Sequence, residues 1–211
     1  MCPGHRQVSL GIGDEKFSDG LHVCYIYNDD QEHSNTLARF FEQGVQAGDK
    51  ALCLVENMDP ASAIELLGSL GVDVAGAGDR LIAQVAGETY CPEEAFEPDT
   101  LLTGLRAFIL ANRDEGYSGT RIAGDMSWMH RKGISVDQVL EYEVKVRDYI
   151  DGMPCTAICE YDARKFDGSM LMDVLSVHPA VIVNGQIVRN PYYLDPKDFL
   201  ARYRARRTAE A

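Results

Sequence analysis

The segment from His22 to Val55 constrains the fold of this chain more than any other stretch. It contains a short apolar strand, an acidic turn, an amphipathic helix and a second apolar strand. Leu37, Phe41 and Val45 recur at helical spacing, and Gly48 stands where a helix can end in a left-handed residue. Two apolar strands joined by one helix predict a βαβ unit, in which the strands run parallel.

The turn between the first strand and the helix has the position of a phosphate-binding loop but lacks its residues. Nucleotide-binding βαβ units carry a glycine-rich turn here, whose backbone N–H groups face phosphate. Residues 28–35 contain no glycine and no lysine, and they include the carboxylates of Asp29, Asp30 and Glu32. Either aspartate can cap the helix, so an incoming triphosphate would meet like charge. We therefore expect the architecture of a phosphate loop without its chemistry.

The charge balance restricts the class of function. The chain carries 33 acidic and 20 basic residues, a formal net charge of −13. Direct nucleic-acid binding depends chiefly on neutralising phosphates with Lys and Arg, so the sequence argues against it. No apolar run approaches the roughly 20 residues of a membrane span, and the N-terminus has no basic-then-apolar signal pattern. We expect a cytoplasmic protein that contacts no membrane and reaches DNA only through a partner.

Strands and helices alternate along the chain, which predicts a mainly parallel sheet with helices on both faces. Asn184-Gly185 between two apolar runs predicts a two-residue β-hairpin near the C-terminus. We expect a loose leader over residues 1–20, one main domain over 21–195, and a basic helix over 196–211 that docks on the acidic body, a second subunit or a partner. The predicted strands are 22–27, 51–55, 81–85, 121–130, 156–162, 180–183 and 186–189, and the predicted helices are 36–48, 60–70, 98–115, 136–150, 166–175 and 196–207.

Side chains at the C-terminal ends of parallel strands converge on a crevice that usually binds the ligand. In this chain they are mostly aromatic and acidic, which favours a small, weakly polar or cationic ligand over an anion. Three of these residues also have a purely structural interpretation. Asp125 could instead accept backbone hydrogen bonds, and Tyr90 and Trp128 could instead pack in the core. The predicted ligand-binding residues are His22, Cys24, Tyr25, Tyr27, Glu88, Tyr90, Asp125, Trp128, Cys159, Tyr161 and His178.

Glu141 and Glu143 lie in the predicted helix over 136–150, and we expect them on its solvated face or paired with Arg147. No Gly-x-Ser-x-Gly motif is present and no Cys/His pairing can be read from the sequence, so we predict no catalytic residue.

A metal site built from cysteine and histidine is an alternative for part of the same set. His22 and Cys24 share one strand face by period-two spacing, as do Cys155 and Cys159, and His178 could join them. The spacing matches no zinc signature, and buried free cysteines need no metal to explain them. We therefore predict no metal and no cofactor.

Several short motifs occur in a fixed order over about residues 20–200. They include His22–Tyr27, Gly87–Tyr90, Gly116–Gly119 with Arg121, Gly124–Trp128, Glu141–Glu143, Cys159–Asp162, His178-Pro179 and Asn190–Tyr193. Together they resemble the MEDS domain, the methanogen/methylotroph, DcmR-like sensory domain. This resemblance implies a three-layer RecA/KaiC-like α/β fold without a functional phosphate loop, ending in a β-hairpin. It also implies a sensor of small hydrocarbon derivatives.

On the same resemblance, Asp125 occupies the place of the Walker B acid, and the strand bearing Cys159 neighbours the strand bearing Cys24. We expect a non-catalytic sensor of a one-carbon or hydrocarbon-derived molecule that regulates a protein partner in transcriptional control, because no output module is evident. The sequence leaves open whether the chain forms a homodimer. One alternative is residual ATP binding or hydrolysis through Asp125, Glu88 and magnesium. The other is a metal or redox sensor built on Cys24, Cys159 and His178.

Overall fold

A seven-stranded sheet forms the middle layer of the molecule, with helices on both faces. The computed structural model describes residues 6–92 and 95–210. The strands are β1 (Gln7–Ser9), β2 (Lys16–Ser18), β3 (Leu21–Tyr27), β4 (Lys50–Val55), β5 (Leu81–Val85), β6 (Thr120–Asp125), β7 (Cys155–Asp162), β8 (Ala180–Val183) and β9 (Gln186–Arg189). The helices are α1 (Asp30–Ala47), α2 (Pro60–Ser69), α3 (Val74–Ala77), α4 (Ala86–Tyr90), α5 (Pro98–Asp114), α6 (Val136–Ile150), α7 (Gly168–Val177) and α8 (Pro196–Glu210).

The strand order in the main sheet is β5-β4-β6-β7-β3-β8-β9. Every pair in it is parallel except β8 and β9, which form the predicted antiparallel hairpin. Asn184 and Gly185 both have positive φ, 51° and 65°, as a two-residue hairpin loop requires. The predicted fold class is therefore confirmed.

The βαβ unit of β3, α1 and β4 forms as predicted, but α1 begins at Asp30, so residues 30–35, predicted as part of the turn, belong to the helix. Asp29 caps α1 by accepting a hydrogen bond from the backbone N–H of Glu32 at 2.7 Å. Gly48, at φ 78°, ends the helix in the left-handed conformation. Phe40 and Phe41 of α1 are fully buried in the core between the helix and the sheet. A second core lies on the opposite face, where α5, α6 and α7 pack.

The leader differs from its prediction. Residues 1–5 lie outside the described part of the chain, but β1 and β2 pair as an antiparallel hairpin. Val8, Leu10, Ile12 and Phe17 are buried in the core on the α1 face. The first three alternate with polar or glycine positions, which is the periodicity of a strand with one buried face. The many glycines of this stretch concealed that pattern.

The strand predicted over 121–130 is shorter than expected. β6 ends at Asp125, and a 3₁₀ helix follows over Met126–His130. Asp125 causes this ending, because its Oδ1 accepts a hydrogen bond from the backbone N–H of Ser127 at 2.8 Å. Gly87–Tyr90, directly after β5, forms most of the short helix α4.

The C-terminal helix α8 docks on the acidic body of its own chain, one of the three predicted alternatives. Phe199 and Tyr203 are buried against α6 and α7. The Tyr203 hydroxyl donates to Asp137 at 2.5 Å, and Arg206 pairs with Asp173 at 2.5 Å. Among the described residues, no helix has the length and apolar character needed to cross a bilayer.

Candidate functional site

A crevice of about 550 Å³ opens at the C-terminal ends of β3, β4, β6 and β7, on the α1 face of the sheet. This is the position in which open parallel sheets usually bind ligands. Two of the predicted ligand-binding residues, Tyr27 and Asp125, line it. Its other polar wall residues include Asp30, His33, Glu160, Asp162, Arg164 and Lys165.

The arginine of the crevice is already paired with two of its carboxylates, Asp30 and Asp162. Arg164 donates to Asp162 at 2.7 and 2.9 Å and to Asp30 at 2.5 Å, and it holds the pKa of Asp162 below its usual range. Burial raises the pKa of Glu160, although His33 Nε2 lies 2.5 Å from Glu160 Oε2 and opposes the shift. Arg164 therefore already holds two carboxylates, which leaves it poorly suited to a phosphate.

Asp125 and the N-terminus of α1, the two groups that matter most for nucleotide chemistry, already make local hydrogen bonds. Asp125 accepts from the Ser127 N–H and, at 3.4 Å, from Asn57 Nδ2. Asp29 occupies an N–H at the start of α1, where a phosphate loop would present free donors. Glu88 is exposed on α4 and is not among the residues that line the crevice.

A second cavity, of about 660 Å³, lies on the opposite face of the sheet, between the strands and α5 and α6. Aliphatic and aromatic side chains dominate its walls. Tyr90 and Cys159, two of the predicted residues, contribute to it. Gly104 of α5 also lines it, and a Cβ built there meets no described heavy atom within 4 Å. The wall includes Leu52, Leu54, Ile82, Leu101, Leu105, Phe108 and Ile122.

Trp128 packs behind Tyr90, a residue of the cavity wall. Its ring is fully buried and stacks on Tyr90 with centroids 4.7 Å apart and planes 11° from parallel. Phe96 packs against the same indole, with centroids 4.8 Å apart. Trp128 is therefore a core residue that fixes the position of Tyr90, and it is not among the lining residues.

Beside the cavity, four potential ligand side chains meet in a fully buried cluster: His22, Glu143, Cys159 and His178. His22 Nε2 lies 3.1 Å from Glu143 Oε2 and 3.2 Å from Cys159 Sγ. His178 Nε2 lies 3.2 Å from the same carboxylate oxygen. The hydroxyl of Tyr161 donates to the other oxygen, Glu143 Oε1, at 2.7 Å.

The prediction for Glu143 was wrong. Its side chain is not on the exposed face of the helix but is buried inside the protein. Its partners are Tyr161 and the two histidines. Its neighbour Glu141 is exposed as expected and pairs with Lys145 at 2.8 Å. Arg147 donates to the Tyr193 hydroxyl at 2.5 Å.

Burial controls the protonation of this cluster. It lowers the pKa of His22 to about 4, with His178 adding to the effect. Burial also opposes ionisation of Glu143, but His178 and His22 outweigh it and hold the pKa of this carboxyl below its usual range. Burial, followed by the nearby Glu143, raises the pKa of the Cys159 thiol well above its usual value.

The predicted site residues do not share one crevice, because successive side chains of a strand point to opposite faces of the sheet. Cys24 is buried on the cluster's face and pairs in register with Cys159, as the resemblance implied. Tyr25 faces α1 instead, and its hydroxyl donates to Glu32 at 3.1 Å. Two faces of β3 and β7 therefore supply two different compartments.

Fold and site together define a class. The first strand of the βαβ unit lies inside the sheet between β7 and β8, an acid ends β6, and a capped turn stands where a phosphate loop would be. This is a RecA/KaiC-like fold in which the turn after the first strand of the βαβ unit contains no glycine and no lysine. A KaiC-like protein from Pyrococcus horikoshii has a similar fold, with a TM-score of 0.57 and 13% identity over 84% of this chain and 79% of that chain.

The chain belongs to the MEDS family, the methanogen/methylotroph, DcmR sensory domain, whose model matches residues 21–179. It is also similar to the transcriptional repressor DcmR of Methylorubrum extorquens, with 25% identity over 160 residues. That match covers 74% of this chain and 57% of the repressor, so the chain spans little more than half the length of this curated relative. Family and relative both support a sensory or regulatory role.

Proposed function

We propose that this chain is a non-catalytic sensory domain that binds a small hydrocarbon-derived molecule in the apolar cavity under α5. The composition of that cavity carries the proposal: about 660 Å³ bounded mostly by aliphatic and aromatic side chains. Its volume falls within the range of about 300–1,000 Å³ that is typical of small-molecule sites. Each Å² of apolar ligand surface removed from water there contributes about 25 cal/mol.

A few polar groups are available to orient such a ligand. Tyr90 and Tyr142, both buried, meet edge to face at the cavity with ring centroids 5.9 Å apart. Thr89 and Gln84 add a hydroxyl and an amide near the wall formed by β5. Few polar groups among many apolar ones favour a one-carbon or short hydrocarbon derivative over a charged metabolite.

Signal output follows from differential binding, since a ligand shifts an equilibrium only when it prefers one conformation. α5 covers the cavity and packs on α6, and α6 also packs against α8. A ligand that moves α5 would therefore also move the C-terminal helix through α6. The exposed Val183 and Val188 of the hairpin offer apolar contact for a regulatory protein. The proposed output is transcriptional control through such a partner, by analogy with the repressor relative.

Filling the cavity from Gly104 tests the proposal. Wild-type protein and the variants Gly104→Leu and Gly104→Ala are screened by thermal shift against halogenated, methylated and other short one-carbon compounds. We expect a ligand at 100 times its Kd to stabilise the wild type by about 2.7 kcal/mol. Gly104→Leu should weaken this shift, because Gly104 lies on the cavity wall and a bulky side chain there narrows the space open to the ligand. Gly104→Ala, the matched control, should keep it and gain up to about 1 kcal/mol of intrinsic stability.

Two results would contradict the proposal: no compound of the panel stabilises the wild type, or a compound stabilises Gly104→Leu as strongly as the wild type. The second result would move the binding site to another part of the chain.

The alternative of residual ATP binding has less support. It needs Asp125 and Glu88 to share a magnesium ion, but Asp125 is engaged by Ser127 and Glu88 is exposed on α4. Carboxylates of the crevice would also repel a triphosphate. We expect ATP with magnesium, titrated to millimolar concentration, not to stabilise the wild type. A stabilisation that Asp125→Ala abolishes would instead support the alternative.

A further inference from the structure

We propose that His22, Glu143, Cys159 and His178 bind a divalent transition-metal ion of the zinc type, in a site between the sheet and α6. All four side chains are fully or almost fully buried, and their ligand atoms lie within 4.8 Å of one another. Imidazole nitrogen, thiolate sulfur and carboxylate oxygen are the three donor types that zinc takes in proteins. Cys24 and Cys155, considered from the sequence, are not members of this group.

His178 directs an acceptor nitrogen at a carboxylate oxygen of Glu143. Its Nδ1 lies 2.6 Å from the carbonyl oxygen of Val174, which can only accept, so Nδ1 carries a hydrogen. The Nε2 of a neutral ring is then an acceptor, and it faces the acceptor oxygen Glu143 Oε2 at 3.2 Å. Neither atom has a hydrogen-bond partner among the described residues. Two opposed lone pairs in a dry interior need a proton or a metal ion between them.

Distances within the cluster fit a metal. Donors at about 2.0–2.3 Å from a tetrahedral zinc ion lie about 3.3–3.6 Å from one another. Three of the six distances among Nε2 of His22, Nε2 of His178, Oε2 of Glu143 and Sγ of Cys159 measure 3.1, 3.2 and 3.2 Å. The other three lie within 4.8 Å, so side-chain shifts of about 1 Å would bring all four donors around one ion.

Charge neutrality also favours a divalent ion over a single proton. Bound as thiolate and carboxylate, Cys159 and Glu143 supply two negative charges, and two neutral imidazoles supply none. A divalent cation balances this set, which matters because an uncompensated charge is costly in a buried site. The thiol proton of Cys159 leaves for solvent when the metal–sulfur bond forms.

Surrounding groups hold two of the four ligands, Glu143 and His178, in the orientation that a metal requires. The Tyr161 hydroxyl holds Glu143 Oε1 and leaves Oε2 directed into the cluster. The Val174 carbonyl fixes the tautomer of His178 that exposes Nε2. Metal-binding histidines and carboxylates in proteins characteristically have such partners. Cys159 also lines the apolar cavity, which gives the ion a route from solvent.

The experiment measures metal in the full chain, without any organic ligand, so its result does not depend on the proposed sensory ligand. Protein without an affinity tag is purified free of chelators and assayed for metal by mass spectrometry. Chelator-treated protein is then titrated with Co²⁺ and with Zn²⁺. We expect one equivalent of metal, a thiolate-to-cobalt absorption band in the near ultraviolet that Zn²⁺ abolishes, and a Zn²⁺-dependent rise in Tm.

Variants assign the ligands. Cys159→Ser should lose the charge-transfer band, and His178→Gln should lose metal affinity. Cys155→Ser, a buried cysteine on the same strand outside the cluster, should bind as the wild type does. Tyr161→Phe keeps all four ligands and should bind about 10- to 100-fold more weakly. Circular dichroism of each metal-free variant checks that it folds.

The proposal is overturned if the wild type neither contains metal nor responds to Co²⁺ and Zn²⁺. In that case the cluster is an imidazolium–carboxylate pair. It is also overturned if Cys159→Ser and His178→Gln bind as tightly as the wild type, since the ion would then lie elsewhere. Either outcome leaves the cavity proposal standing, because that is tested through Gly104.

Discussion

Asp162 is the last residue of β7, and its side chain binds the turn that follows. Because this side chain is charged, the interaction depends on pH. Its side chain is 3% exposed and accepts from the backbone N–H of Arg164 at 3.0 Å as well as from the guanidinium. The Arg164 hydrogen bonds lower the pKa of Asp162 below 3.8. This carboxylate therefore stabilises the fold above pH 3.8, and the contribution is lost as the pH falls through the folded value.

Asp162→Asn should cost about 1.5–3 kcal/mol in the free energy of unfolding at pH 7, because it weakens charged hydrogen bonds. The gap between variant and wild type should narrow below pH 3.8 as the wild-type carboxyl protonates. Urea unfolding followed by circular dichroism at pH 7 and at pH 3 measures both values. Asp148→Asn, on an exposed position of α6, serves as the control and should change little. A gap that widens in acid would refute the assigned pKa shift.

Glu143 illustrates why part of the site escaped prediction at the scale of single residues. An acid next to another exposed acid, Glu141, looks like part of a solvated face. The available indication was spacing: Val139, Val146 and Ile150 share a helix face with Glu143 at intervals of three and four. A carboxylate within an apolar stripe needs buried partners, and only the tertiary fold brings β3, β7 and the residue after α7 to it.

At the scale of elements, the start of α1 depends on one side chain. Asp29 is its N-cap, and removing the carboxylate leaves the N–H of Glu32 without that acceptor. Asp29→Ala should lower the free energy of unfolding by about 1 kcal/mol, as measured by urea denaturation. Asp30→Ala is the matched control: its pair with Arg164 is exposed to solvent and should contribute less to stability than the Asp29 cap does. Equal effects of the two variants would contradict the capping assignment.

Elements with a local cause were predictable from the sequence. The βαβ unit, the capping residues of α1 and the β8–β9 hairpin each follow from hydrophobic period, a cap or Asn184-Gly185. The β1–β2 hairpin was missed because its stability comes from packing on α1, and β6 was overextended because Asp125 caps the segment after it. The two compartments could not be foreseen, since strand alternation assigns side chains to faces only once the register is fixed.

At the scale of the whole molecule, two cores share one sheet. One core lies under α1 and α2 and the other under α5, α6 and α7, and the strands between them are common to both. We therefore expect a single cooperative unfolding transition. Fluorescence of the single tryptophan, Trp128, reports the second core, whereas far-ultraviolet circular dichroism reports all elements. Their urea midpoints should coincide. Separate midpoints would mean that the two layers unfold independently.

β7 is a common wall of the two compartments. Cys159 borders the apolar cavity and the next residue, Glu160, borders the polar crevice. One planar peptide unit joins a residue of one wall to a residue of the other. The two compartments are therefore separated by the thickness of a single strand.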